Sequence, residues 1–136
     1  MPTGQEEFDF MVAVQPILVV EDEALIRISL VDALEAGGYT VIDCSDGASA
    51  ILYIDSSTEL CGLATDIRLG AGPTGWEVAH HARKKYPEIA VVYMTGDSAA
   101  DWTAEGVPNS VLLQKPFAEA QMLTALSTLM IARGAM

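Results

Sequence analysis

Basic residues are scarce: seven Lys and Arg stand against nineteen Asp and Glu, leaving a formal net charge of −12. Binding to a phosphate backbone needs a basic stripe, so these scattered cations argue against direct contact with nucleic acid. Long apolar runs are also lacking. Although 51% of the residues are hydrophobic, charge or glycine interrupts every run well short of the ~20 residues that cross a bilayer. No membrane span is expected. The amino terminus, Met1-Pro2-Thr3-Gly4-Gln5-Glu6-Glu7, has neither the basic start nor the apolar core of a secretory signal, and a cytoplasmic location is the expectation. Only two cysteines occur, Cys44 and Cys61, with no CxxC or Cys/His spacing around them. They read as small core residues. His80 and His81 are neighbours in a predicted helix, where adjacent side chains diverge by about 100°, so they read as surface residues and not as a chelating pair.

A length of 136 residues suits one domain, which at this size buries roughly two thirds of its unfolded surface without covalent staples. The expected boundaries are an acidic tail over 1–14 and a domain over 15–133. Aromatics Phe8 and Phe10 in the tail leave two readings, a frayed end or a segment that docks on the domain or on a second copy. In the domain, Ile17 to Val20 is a short branched apolar run that suits a strand covered on both faces. Ile26, Leu30, Ala33 and Leu34 then form a helical stripe stopped by Gly37-Gly38. The alternation repeats: a strand near 39–44, a helix through Ala48, Ile51, Leu52 and Ile54, and a strand near 62–65. A helix carrying Trp76, Val78 and Ala79 follows and ends at Tyr86-Pro87. A strand over 89–94, a short helix over 98–105, a strand over 110–113 and a last helix with Met122, Leu126, Leu129 and Met130 complete it. Five strands alternating with five helices predict an α/β, flavodoxin-like (βα)5 three-layer sandwich with parallel strand order 2-1-3-4-5.

Ligands of such sheets bind outside the carboxyl ends of the strands. The residues expected there are Glu21 and Asp22 after the first strand, Asp66 after the third, Thr95 after the fourth and Lys115 after the fifth. Carboxylates sharing one crevice repel unless a cation lies among them. Oxygen ligands of this kind suit Mg²⁺. With Lys115 and Thr95 able to meet anionic oxygens, Asp66 is equipped to attack a phosphoryl group and hold the product.

Val19-Val20-Glu21-Asp22-Glu23, Thr65-Asp66-Ile67-Arg68-Leu69, Met94-Thr95-Gly96 and Gln114-Lys115-Pro116-Phe117 together resemble the receiver domain of two-component response regulators, over residues 16–132. The resemblance implies that Asp66 accepts phosphate from a sensor histidine kinase or histidine phosphotransfer protein. It further implies Mg²⁺ bound by Asp22, Asp66 and the Arg68 backbone carbonyl, with Glu21 acting through water, and a cis Lys115-Pro116 bond. Thr95 and Lys115 would contact the phosphoryl group. The domain would catalyse only its own phosphorylation and slow dephosphorylation. Arg68 occupies the place where a phosphatase would need a second acid.

Leu112 stands where most receivers carry Tyr or Phe, and Tyr93-Met94-Thr95-Gly96 with Lys115-Pro116-Phe117 is similar to the FAT GUY subgroup, though Asp97 departs from it. The loop after Asp66 is one residue longer than usual. The expectation is a stand-alone regulator that signals through an unidentified downstream protein by phosphorylation-dependent contact. A phosphate sink or phosphorelay shuttle, a phosphorylation-independent binding module, and homodimer formation stay open. Arg68 and Asp97 flank the path of an attacking water: they either pair and gate it or are two solvated charges worth about 0 to 1 kcal/mol.

Overall fold

Alternation of apolar side chains within strands of five or six residues sorts the helices onto two faces of one sheet. A computed structural model describes residues 15–97 and 99–133. The elements are β1 (Pro16–Val20), α1 (Ala24–Ala36), β2 (Thr40–Cys44), α2 (Gly47–Ser56), β3 (Gly62–Asp66), α3 (Gly75–Lys85) and β4 (Ala90–Thr95). A 3-10 turn (Ala99–Asp101) leads into the four-residue α4 (Trp102–Glu105), followed by β5 (Ser110–Gln114) and α5 (Glu119–Arg133). All pairings are parallel, in the order β2-β1-β3-β4-β5. This is the predicted flavodoxin-like order.

Ile17, Val19, Ala64, Val92 and Met94 point to one face, where Leu30 and Leu34 of α1 and Met122 and Leu126 of α5 cover them. Leu18, Val20, Leu63, Val91 and Tyr93 point to the other, against Ala50 and Ile54 of α2 and Val78, Ala79 and Ala82 of α3. β1, β3 and β4 are buried throughout, whereas β2 lies at an edge and is half exposed.

Leu52 of α2 is 71% exposed, and the side chains that α2 packs against the sheet are Ala50, Ile51 and Ile54. Two expectations need correction. The helix expected over 98–105 is a turn plus a single helical turn, because Gly106 and Pro108 leave no length for more. β3 and β4 each run one residue past the predicted end, so that Asp66 and Thr95 are the last residues of their strands. The tail and the readings attached to it lie outside the described residues. Cys44 and Cys61 are half-buried thiols without a disulfide. His80 bonds the Glu105 carbonyl and His81 the Asp55 carboxylate, so the two rings do face different neighbours. Among the described residues no helix is long and apolar enough to cross a membrane.

Candidate functional site

Sheet register brings the acidic residues together. Val20 pairs with Thr65, which sets Glu21 beside Asp66, and Asp66 pairs with Met94, one residue before Thr95. Thr95 pairs with Gln114, and the Lys115 N–H donates to the Thr95 carbonyl at 2.7 Å, which sets the lysine at the same level. Glu21, Asp22 and Asp66 each offer a carboxylate oxygen within 4.8 Å of the others.

Burial differs across the group. Glu21 is fully buried, Asp66 is 8% exposed, Thr95 is 1% exposed, and Asp22 stands exposed at the mouth. The Lys115 ammonium donates to both Glu21 oxygens at 3.2 and 3.1 Å and to Asp66 Oδ2 at 3.1 Å. The protein's own cation therefore occupies part of the place that carboxylate repulsion assigned to a metal. Burial first and the Asp66 charge second push the Glu21 carboxyl up to about 7, against the pull of Lys115. Lys115 itself is raised, its two carboxylate partners outweighing its burial. Three carboxylates against one ammonium still leave an excess of negative charge. A hard dication with oxygen ligands fits this donor set, with Asp66 and the exposed Asp22 best placed to bind it and Glu21 held by Lys115.

The loops are fixed from outside the pocket. Thr74 accepts from the Glu77 N–H while the Glu77 carboxylate accepts from the Thr74 N–H, a capping box that starts α3. Next to it, the Gly75 N–H donates to the Ile67 carbonyl at 2.8 Å, so α3 begins directly against the end of β3 that carries Asp66. A Cβ on Gly75 would stand 2.0 Å from the Asp66 carbonyl oxygen. Arg27, in the first turn of α1, reaches back to the Glu21 carbonyl at 2.8 Å and to Asp43 Oδ2 at 3.1 Å. None of these three supports was read from the sequence. The Thr74-x-x-Glu77 spacing was the available signal for the first; close backbone approach at Gly75 and the long reach of Arg27 had none.

Thr95 Oγ1 accepts from the Asp97 N–H at 3.1 Å. The Lys115-Pro116 bond is cis. Arg68 Nε and Asp97 Oδ1 form the anticipated ion pair at 3.0 Å, with side chains 74% and 60% exposed. Leu112 pairs across the sheet with Tyr93, so an aromatic stands one strand away from the place where receivers usually carry one. Tyr93 is fully buried, its ring 4.7 Å from that of Trp76, and its hydroxyl accepts from the Val107 N–H at 3.0 Å.

Residues 17–127 match the family model described as response regulator receiver domain. The response regulator receiver protein CpdR of Brucella abortus (strain 2308) is 30% identical over 118 residues, covering 85% of this chain and 97% of that protein. Three other curated relatives, a sensor kinase and two transcriptional regulatory proteins, are longer, and the chain spans 12%, 45% and 52% of them. Among solved structures, a response regulator receiver protein from Sinorhizobium medicae WSM419 superposes with a TM-score of 0.86 at 40% identity, covering 88% of this chain and 97% of that one. The receiver domain of sensor histidine kinase PA1611 from Pseudomonas aeruginosa PAO1, solved with magnesium coordinated in its active-site cleft, has a TM-score of 0.74 at 21% identity and covers 86% and 98%. With its strand order, acidic cleft and family match in agreement, the chain belongs to the response regulator receiver domains of two-component signalling.

Proposed function

We propose that Asp66 accepts a phosphoryl group from a phosphohistidine on a sensor kinase or phosphotransfer protein, and that the phosphorylated domain signals by protein contact. The observation that carries this reading is the Lys115 ammonium shared between Asp66 and Glu21 in a pocket that also holds Asp22. An Asp66 oxygen attacks phosphorus; the new P–O bond forms as the P–N bond breaks, and its electron pair returns to the imidazole. Lys115 and the Thr95 hydroxyl then meet the phosphoryl oxygens, drawing in the β4 and β5 ends that carry them. Mg²⁺ at the acidic cluster would neutralise charge on those oxygens, a role in keeping with the magnesium of the Pseudomonas relative. The test is fluorine NMR of the protein with Mg²⁺ and beryllofluoride, an acyl-phosphate mimic. A Mg²⁺-dependent adduct is expected, and its absence removes the reading.

An apolar groove of about 580 Å³ borders Lys115, lined by Leu25, Ile26, Leu30, Pro116 and Phe117. Leu25 is 84% and Ile28 55% exposed on the same helix. A phosphodonor helix seated there reaches Asp66 past Lys115, and the groove is its docking face. Leu25→Asp is expected to slow transfer from the kinase about tenfold or more, as loss of a central apolar anchor does, while leaving phosphorylation by a small acyl phosphate intact. Leu52→Asp, on the opposite face of the sheet, serves as the control. Equal slowing with both donors would place the defect in the pocket and not in docking.

The Arg68–Asp97 pair is too exposed to matter for stability, at about 0 to 1 kcal/mol, but it joins the loops that follow β3 and β4, and on this reading those loops flank the approach of a hydrolytic water to Asp66. We assign it to setting the phosphate lifetime. Arg68→Ala and Asp97→Ala are each expected to change the dephosphorylation rate with little change in melting temperature. Rates equal to wild type in both variants return the two side chains to the role of solvated charges.

A further inference from the structure

We propose that Arg27 is a positioning residue for the metal-binding acids, acting through the peptide group that joins Glu21 to Asp22. The proposal rests on reading Glu21, Asp22 and Asp66 as a Mg²⁺ site. Helix α1 begins without a side-chain cap: Glu23 occupies the N-cap position and makes no capping hydrogen bond. A loop that presents two acids at a helix entrance then needs its main chain fixed by other means. The Glu21 N–H is held by the Cys44 carbonyl at 3.1 Å, which ties it to β2. Its carbonyl is held by Arg27 Nη1 at 2.8 Å. Because that carbonyl belongs to the peptide bond between Glu21 and Asp22, fixing it sets the direction in which both side chains leave the backbone.

The guanidinium is itself anchored. Arg27 Nε donates to Asp43 Oδ2 at 3.1 Å, and its side chain is 19% exposed against 47% for Asp43. Arg27 thus bridges the α1 first turn, the acidic loop and the end of β2. A planar fork with several donors can make both bonds from one side chain, which an ammonium cannot do in the same geometry. Position and charge here predict opposite results. As a nearby cation Arg27 opposes Mg²⁺ entry, so its removal tightens binding; as a clamp it orders the ligands, so its removal weakens binding. Asp43 offsets most of the guanidinium charge, and the clamp prevails.

The experiment is Mg²⁺ titration by isothermal calorimetry on the full chain, with thermal melting measured separately. Arg27→Ala is expected to weaken Mg²⁺ binding about tenfold, the lower end of what loss of a ligand-orienting partner costs. Arg27→Lys, which keeps the charge but cannot make both bonds in the same geometry, is expected to weaken binding several-fold as well. Folded Arg27→Ala that binds Mg²⁺ as well as or better than wild type overturns the proposal. Should Arg27→Ala fail to fold, Arg27→Lys decides: a folded Lys variant that binds Mg²⁺ as tightly as wild type overturns the clamp and restores the charge explanation. Wild-type protein that takes up no Mg²⁺ removes the underlying site reading instead, and the two failures are thereby distinguished.

Discussion

Asp66→Asn is expected to abolish phosphoryl acceptance and beryllofluoride binding completely, and yet to melt at a higher temperature than the wild type in Mg²⁺-free buffer near pH 8. The first part follows from chemistry, since an amide oxygen does not replace a carboxylate as nucleophile. The second follows from Glu21. Its carboxyl is fully buried and pushed up to about 7, by burial first and by the Asp66 charge second. A carboxyl whose folded-state pKa lies above its unfolded value favours the folded state while it keeps its proton. That contribution is fully present below the unfolded value of about 4.5 and is lost as pH rises through about 7. Removing the Asp66 charge lowers the folded value and so shrinks the loss. One pKa unit corresponds to about 1.4 kcal/mol, and a gain on the order of 1 kcal/mol is the expected scale. Asn keeps an oxygen for Lys115, which also retains both Glu21 oxygens. Melting curves from pH 5 to 8 in chelator test this: the two proteins should converge at low pH and separate as pH rises. Added Mg²⁺ should reverse the order, because a ligand that binds only the folded wild type stabilises it by mass action. A mutant that melts below wild type at pH 8 without Mg²⁺ would show that the Asp66–Lys115 contact outweighs the repulsion.

The same pocket shows how far a sequence can be read. Strand and helix alternation placed Asp66, Thr95 and Lys115 at the carboxyl end of the sheet because burial on both faces forces near-continuous apolar runs that end where polar residues begin. Carboxylate spacing led to a dication on electrostatic grounds alone, and here the reading was incomplete. Lys115 was expected to meet an incoming anion, but it already neutralises part of the acidic group through Glu21 and Asp66. A long flexible side chain at the end of β5 can serve a residue at the end of β1, three strands away, and nothing in the local pattern records which contact it makes. Arg27 escaped notice for the same reason: its partners are a backbone carbonyl and a residue sixteen positions on. The exposure of Leu52 was not legible either, because a helix of ten residues with six apolar side chains offers more than one stripe, and only the sheet decides which faces inward.

Gly75→Ala is the substitution expected to cost the fold most. Three glycines near the pocket separate the reasons a glycine can be needed. Gly96 has nothing within 4 Å of an added Cβ and no left-handed backbone, so Gly96→Ala should be close to neutral. Gly72 also has open space but a φ of +92°, and Gly72→Ala should lose about 1 to 2 kcal/mol from conformation alone. At Gly75 the added carbon would stand 2.0 Å from the Asp66 carbonyl oxygen and 2.8 Å from Ile67 Cα, both backbone atoms. No rotamer change relieves a clash with main chain. Either α3 withdraws, breaking the Gly75 to Ile67 hydrogen bond and opening the packing of Val78, Ala79 and Ala82, or the end of β3 shifts and carries Asp66 away from Lys115. Overpacking of this severity is expected to cost more than about 3 kcal/mol, roughly a 10 °C fall in melting temperature for a domain of this size. The two routes are separable by what the folded variant still does. A withdrawn helix leaves Asp66, Lys115 and beryllofluoride binding in place and changes Trp76 emission, since the Trp76 ring rests against Tyr93. A shifted strand end removes the adduct as well. Loss of the adduct together with stability is the expected result, because α3 is held by its capping box and its buried alanines, whereas Asp66 is the last residue of its strand. A Gly75→Ala protein as stable as wild type would mean that the start of α3 does not press on the Asp66 backbone.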